Sequence, residues 1–145
     1  MTTTRYLADD AAAWAYLAAS DFSPLRARAL AANPHWSSAT ADRAVRAYKQ
    51  FLYVTRLMLA AGERVSPHKA VDALWHEHIL HTRRYMADCE VLFGHYLHHE
   101  PGTSATPSVA DTTAYQRTNA RLRALFGPEG DPEVALAESL RSSHA

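Results

Sequence analysis

The residues of this chain with the most chemistry to offer are its histidines, and they are not evenly spread. Six of the nine (His76, His78, His81, His95, His98 and His99) fall between positions 76 and 99 of a 145-residue sequence. Transition-metal ions bind where two to four N, O or S donors converge, and imidazole is the commonest protein donor. Asp72 precedes His76 by four residues and adds a carboxylate that either ligates or orients the ring from behind. Cys89, the single cysteine, offers a thiolate, although a lone cysteine in an apolar stretch is more often a small buried hydrophobe. Tyr85 and Asp72 are the acid/base candidates beside these donors.

Helical spacing decides which donors can meet. Side chains three or four apart share a face, which pairs His95 with His98 or His99, His78 with His81, and Asp72 with His76. His76 and His78 are two apart and diverge by about 200° on a regular helix of ~3.6 residues per turn. Both can reach one ion only if the helix breaks between Trp75 and Thr82. Read as one continuous helix over 67–98, Trp75, Ile79, Thr82, Met86, Cys89, Phe93 and Tyr96 form a core seam. His81, Tyr85, Asp88, Leu92, His95 and His99 then form an adjacent polar stripe. The histidine spacing gives no HExxH, and the chain has no CxxC, GxGxxG, Walker loop or GxSxG. A Cys–His nucleophile pair at Cys89 with His76 or His78 is chemically conceivable, but nothing local makes it specific.

The elements that must position these groups read as helices throughout. Residues 7–19 are Ala-rich, with Trp14 and Leu17 on the apolar side. Ser23-Pro24 opens a short helix ending near Asn33-Pro34, because proline at the first helical position gives up only a donor already unpaired. From about Thr40 to Ala61, Val45, Tyr48, Leu52, Thr55 and Leu59 recur at intervals of three and four as a core stripe, widened by Phe51 and Met58 and stopped by Gly62. Ser66-Pro67 starts the histidine segment, which runs to about His98 with a break expected near His81-Thr82. Residues 100–111 read as a loop, and Asp111 caps a helix to Phe126 with Tyr115, Leu122 and Leu125 inward. Asp131-Pro132 starts a last short helix before a fraying SSHA tail. No segment alternates like a strand. The expected fold is all-α, a compact single-domain bundle of about five to seven helices over 1–145.

Composition excludes several function classes. Fifteen basic and fifteen acidic residues cancel, and the basic ones are scattered. A nucleic-acid partner is therefore not expected, since phosphate backbones need a concentrated positive footprint. No apolar run approaches the ~20 residues needed to span a bilayer, and the N-terminus does not read as a signal peptide. One cysteine excludes an internal disulfide framework and fits a reducing, cytoplasmic setting. The Ala and Arg richness is that of a GC-rich genome.

The run VDALWHEHILHTRRYMADCEVLFGHYLHHEP (71–101) resembles the core of the glycine-rich domain-containing protein-like family of plants and bacteria. The matching pattern is Asp72, Trp75-His76-x-His78, Tyr85, Asp88-Cys89 and Gly94, and His98-His99-x-Pro101 resembles the bacterial branch. AYKQFLYVTRLM (47–58) is similar to that family's preceding helix, so the resemblance covers about 40–126. The glycine-rich region of the plant proteins is absent here. Some plant members have Asn-Pro in place of His81-Thr82, which implies a new helix starting there and a freer geometry for His76 and His78. The resemblance favours His76, His78 and Cys89 over His81 and His95, with His98 or His99 completing the set, and brings no reaction with it.

The reading that combines these observations is a metal-binding protein, a small metal-dependent enzyme using His76, His78, Cys89 and His98 or His99. Zinc, iron and copper all suit such donors, and a small-molecule or peptide substrate would follow. Two alternatives stand beside it. One is a non-catalytic helical interaction module with a structural histidine cluster. The other is a haem-binding protein or a metal-free enzyme using a histidine as general base. Oligomeric state is not legible.

Overall fold

In the computed structural model, which describes residues 5–100 and 108–137, the chain is all-α. Among those residues the order is α1 (Asp10–Ala19), α2 (Ser23–Ala32), α3 (Ser38–Ala60), α4 (Lys69–Leu80), α5 (Thr82–Phe93), α6 (Val109–Phe126), a 3₁₀ turn (Pro128–Gly130) and α7 (Pro132–Ala135). No helix among the described residues is long and apolar enough to cross a membrane. Residues 101–107 of the expected loop and the SSHA tail lie outside the described residues.

The 23-residue α3 is the axis. Ser37 caps its start, the hydroxyl accepting from the Thr40 amide, and Gly62 ends it with φ 75°, where a Cβ would be strained. Ala41, Ala44, Tyr48, Phe51, Leu52, Thr55 and Met58 are all buried along it, and α1, α2, α4, α5, α6 and α7 pack around this face. Burying one such Phe or Leu side chain stabilises the fold by about 1.5–3 kcal/mol. The main core gathers Leu17, Leu25, Tyr48, Leu74, Leu92 and Leu136, and a satellite cluster forms around Val54, Met58 and Leu122. Arg56, also on α3, is buried and ties three elements together. Its Nε donates to Asp10 at 2.9 Å and its Nη1 to the Leu92 carbonyl at 3.0 Å.

The histidine segment is two helices. His81 sits between them with φ −84° and ψ 69°, closing α4 and opening α5 with no residue to spare. Its Nδ1 lies 2.8 Å from the Glu77 carbonyl, so the ring serves the end of α4. This break overturns the continuous seam expected from Trp75 to Tyr96. Beyond it the buried face is Tyr85, Asp88, Cys89 and Leu92, whereas Met86 is 60% exposed and Tyr96 41% exposed. In α5 Tyr85, Asp88 and Leu92 of the stripe read as polar turn inward, and of the stripe read as core Cys89 stays buried while Met86 turns out.

Smaller differences also have local causes. The helix expected from Ser66-Pro67 begins at Lys69, because the His68 ring accepts from the Ala70 amide and supplies the cap itself. Ser108, not Asp111, caps α6, and Asp111 completes the reciprocal capping box at the third helical position. Leu125 points out and is 48% exposed. After α5, Gly94 takes φ 77°, and a Cβ there would sit 3.4 Å from the Tyr6 ring. This left-handed turn sends the chain back past α4, burying Leu97 and laying His99 on Trp75.

Candidate functional site

The histidine segment builds three separate polar assemblies. The deepest centres on His78, which is 1% exposed. Its Nε2 lies 2.7 Å from Asp88 Oδ2 and its Nδ1 2.6 Å from the Tyr48 hydroxyl. Tyr16 donates to the other Asp88 oxygen, and the Arg84 guanidinium stands 3.5 Å away. Burial on its own would raise the Asp88 carboxyl, but hydrogen bonds from His78 and Tyr16 outweigh it and hold the group below the usual carboxylate range. Burial likewise pushes His78 below the ordinary imidazole value, against the pull of Asp88. A charged Asp88 and a neutral His78 assign the proton to Nε2, which donates to the carboxylate, while the Tyr48 O–H donates to Nδ1. Both ring nitrogens are used, leaving no lone pair for an ion.

The second assembly fixes Tyr85 and Cys89. The Trp75 indole donates to the Tyr85 hydroxyl at 2.9 Å, and that hydroxyl donates to the Leu97 carbonyl at 2.5 Å. Burial raises Tyr85 far above an ordinary phenol. It raises the Cys89 thiol too, although contacts with the Leu97 backbone and Tyr85 pull the other way. A buried thiol with a raised pKa is a poor nucleophile and a poor thiolate donor. Tyr85 is buried and links the returning segment to Trp75 on α4.

The third assembly is open to solvent. Asp72 and His76, one turn apart on α4, meet His99 from the segment after Gly94. One donor atom from each lies within 4.8 Å of the others. His99 Nε2 is 2.5 Å from Asp72 Oδ1, and His76 Nε2 is 3.4 Å from Asp72 Oδ2. The two imidazoles lie 4.9 Å apart, and His99 stacks on Trp75 with ring centroids 4.1 Å apart. Side-chain exposure falls from His76 (57%) through Asp72 (30%) to His99 (13%). The set has one fixed member and one adjustable one. Ligand atoms on bonds of ~2.0–2.2 Å stand about 3–4 Å apart, a little closer than the 4.8 Å within which these three donors lie.

Beside this cluster a cavity of about 630 Å³ opens between α4, α6 and the returning segment. Asp72, Trp75 and His99 form one side, with His98 next to them, and Arg64, Lys69 and Tyr115 stand in the wall. The size is that of a small-molecule pocket.

Of the residues singled out in the sequence, the structure therefore brings Asp72, His76 and His99 together. It does not bring His78 or Cys89 to them, since the 200° divergence persists and Cys89 faces the core. His98 is exposed and borders the cavity, in edge contact with Tyr96, and His81 and His95 are engaged with backbone carbonyls. The partners of His78 were missed. Tyr48 read only as core, although a phenol on a core stripe announces that some buried group must take its hydroxyl. Tyr16 carried no signal, being 72 residues from Asp88.

A family model described as UCP032817-like matches residues 13–125, most of the chain. The chain belongs to the UCP032817-like family. The match takes in most of α1, all of α2 to α5 and nearly all of α6, so the three assemblies all lie within the family's shared region. No curated protein and no solved structure matches this member of the UCP032817-like family.

Proposed function

We propose that this protein binds a transition-metal ion through Asp72, His76 and His99 and acts as a small metal-dependent enzyme on a ligand held in the adjoining cavity. The convergence of two imidazoles and one carboxylate, of which Asp72 and His99 line the cavity, carries the reading. A donor set of two nitrogens and one oxygen, without sulfur, suits zinc with an open fourth position or non-haem iron with open facial positions. In either case an open position would polarise an oxygen of the ligand or activate a water. Trp75 stacks on His99 and would orient that ring from behind, as outer partners of metal-bound histidines do.

The test is elemental analysis of untagged protein purified without chelators and then reconstituted with zinc or iron. About one equivalent is expected in the wild type and far less in His76→Ala and His99→Ala. Stoichiometric metal in both variants, or no uptake by the wild type, would overturn the reading.

A second reading rests on the same contacts. The Asp72–His99 hydrogen bond and the Trp75 stack tie the returning segment to α4 with no ion needed. As a purely structural clasp, the cluster would lose stability in His99→Ala and gain nothing from added metal.

A further inference from the structure

The cavity wall carries a charge pattern that the three ligands do not account for. Lys69, Asp72 and His76 are three and four apart on α4 and so fall on one face, placing a cation one turn before the donor pair. Both Lys69 and Asp72 border the cavity. Its other cation, Arg64, is paired with Asp111, whose carboxylate is also taken up in the α6 capping box. Asp72 is engaged by His99. Lys69 has no hydrogen-bond or ion-pair partner among the described residues, and Glu100 at the rim is the one wall carboxylate in the same position.

Adding the wall charges shows what an ion changes. Arg64 and Lys69 stand against Asp72, Glu100 and Asp111, one negative charge in excess. A divalent ion at the cluster reverses that to one positive charge in excess, on the side where Lys69 is available. The rest of the lining joins an apolar and aromatic patch that includes Leu59, Val65, Trp75 and Leu97 to the polar side chains of Ser66, Thr112, His98 and His99. A pocket of this kind, with an apolar patch beside convergent charged and polar groups, suits a ligand with an apolar body and one charged end.

We infer that the cavity takes a small organic anion, a carboxylate or a phosphate monoester, whose charged group lies between Lys69 and the ion and whose apolar part rests on Trp75, Leu97 and Leu59. This rests on the metal reading, because the ion supplies the charge reversal. Lysine is suited to the task as a point cation on a flexible stem, able to meet an anion without fixed planar geometry.

Calorimetric titration of zinc-loaded protein with benzoate, phenyl phosphate, benzyl alcohol and benzylamine tests it, with zinc content measured on each sample. One of the two anions should bind at least about tenfold tighter than benzyl alcohol, and which one does so separates a carboxylate from a phosphate ligand. Stripping the zinc should weaken that binding, and Lys69→Gln should weaken it about tenfold with zinc content unchanged. Lys69 is exposed, so the variant keeps its fold. Zinc bound without anion binding, equal affinity in Lys69→Gln, or benzylamine as the preferred ligand would each overturn this inference alone. A protein that takes up no zinc would overturn the metal reading and this inference with it.

Discussion

His76 and His78 are two residues apart on α4 and live in opposite environments. His76 is half in solvent, with a loose contact to Asp72 at 3.4 Å and a ring contact with His99. His78 is sealed among Phe22, Tyr48 and Tyr85, with both nitrogens bonded at 2.7 Å or less. The same side chain is an exposed, loosely held donor in one place and a spacer between a phenol and a carboxylate in the other. Residue type alone does not make a ligand. A histidine is available for chemistry where its lone pair is left unspent, and the helical phase of its neighbours decides that.

The comparison breaks most visibly through His78. His78→Ala removes one partner from a buried carboxylate and one from a buried phenol, and the expected cost is about 3–5 kcal/mol in urea unfolding. His76→Ala should stay within about 0.5 kcal/mol, as surface changes do. Equal stabilities for the two variants would remove the distinction drawn between them.

Acid should strike the same buried network. Asp88 is held below its unfolded value by its hydrogen bonds, so its contribution is present above the unfolded carboxylate pKa and lost as pH falls through the folded one. His78 is depressed by burial, so the folded state resists a proton that the unfolded chain accepts below about 6.5. Both signs agree. Melting temperature should fall as pH drops below about 6.5 and then further through the carboxylate range, and His78→Gln should flatten the upper part of the curve. A melting temperature that holds level from pH 7 to 4 would contradict the assigned protonation states.

Gly94→Ala sharpens the comparison from the other side. It forces a Cβ into a left-handed turn beside Tyr6, at about 1 kcal/mol. Because that turn delivers His99 to Asp72, metal affinity should weaken while the His78 network is untouched. Unchanged zinc affinity in this variant would mean that His99 reaches Asp72 without help from the turn.

Much of this architecture was legible in the residues. The α3 stripe, the proline-opened α2 and α7 and the glycine stops follow from local spacing, and local rules hold where one helix packs one face. Asp72 and His76 were legible as a pair for the same reason. The return of His99 to them was not, since it depends on Gly94 and on the Trp75–Tyr85–Leu97 hydrogen bonds. Burial of Cys89 was legible on the apolar seam, but the inward turn of Asp88 was hidden by the break at His81, which no periodicity spanning both helices can register. Arg56 escaped notice because a buried arginine is only intelligible once Asp10 and the Leu92 carbonyl stand around it.

The single residue between α4 and α5 has a consequence for how such a sequence can change. His81 joins the two helices with no slack, so one residue added or lost there would rotate α5 by about 100° about its axis. Asp88 would leave His78, Cys89 would leave the core, and the chain beyond Gly94 would depart in another direction. Substitutions can accumulate around this junction, but its length is locked, much as a reading frame is. An insertion at this junction should therefore be poorly survivable.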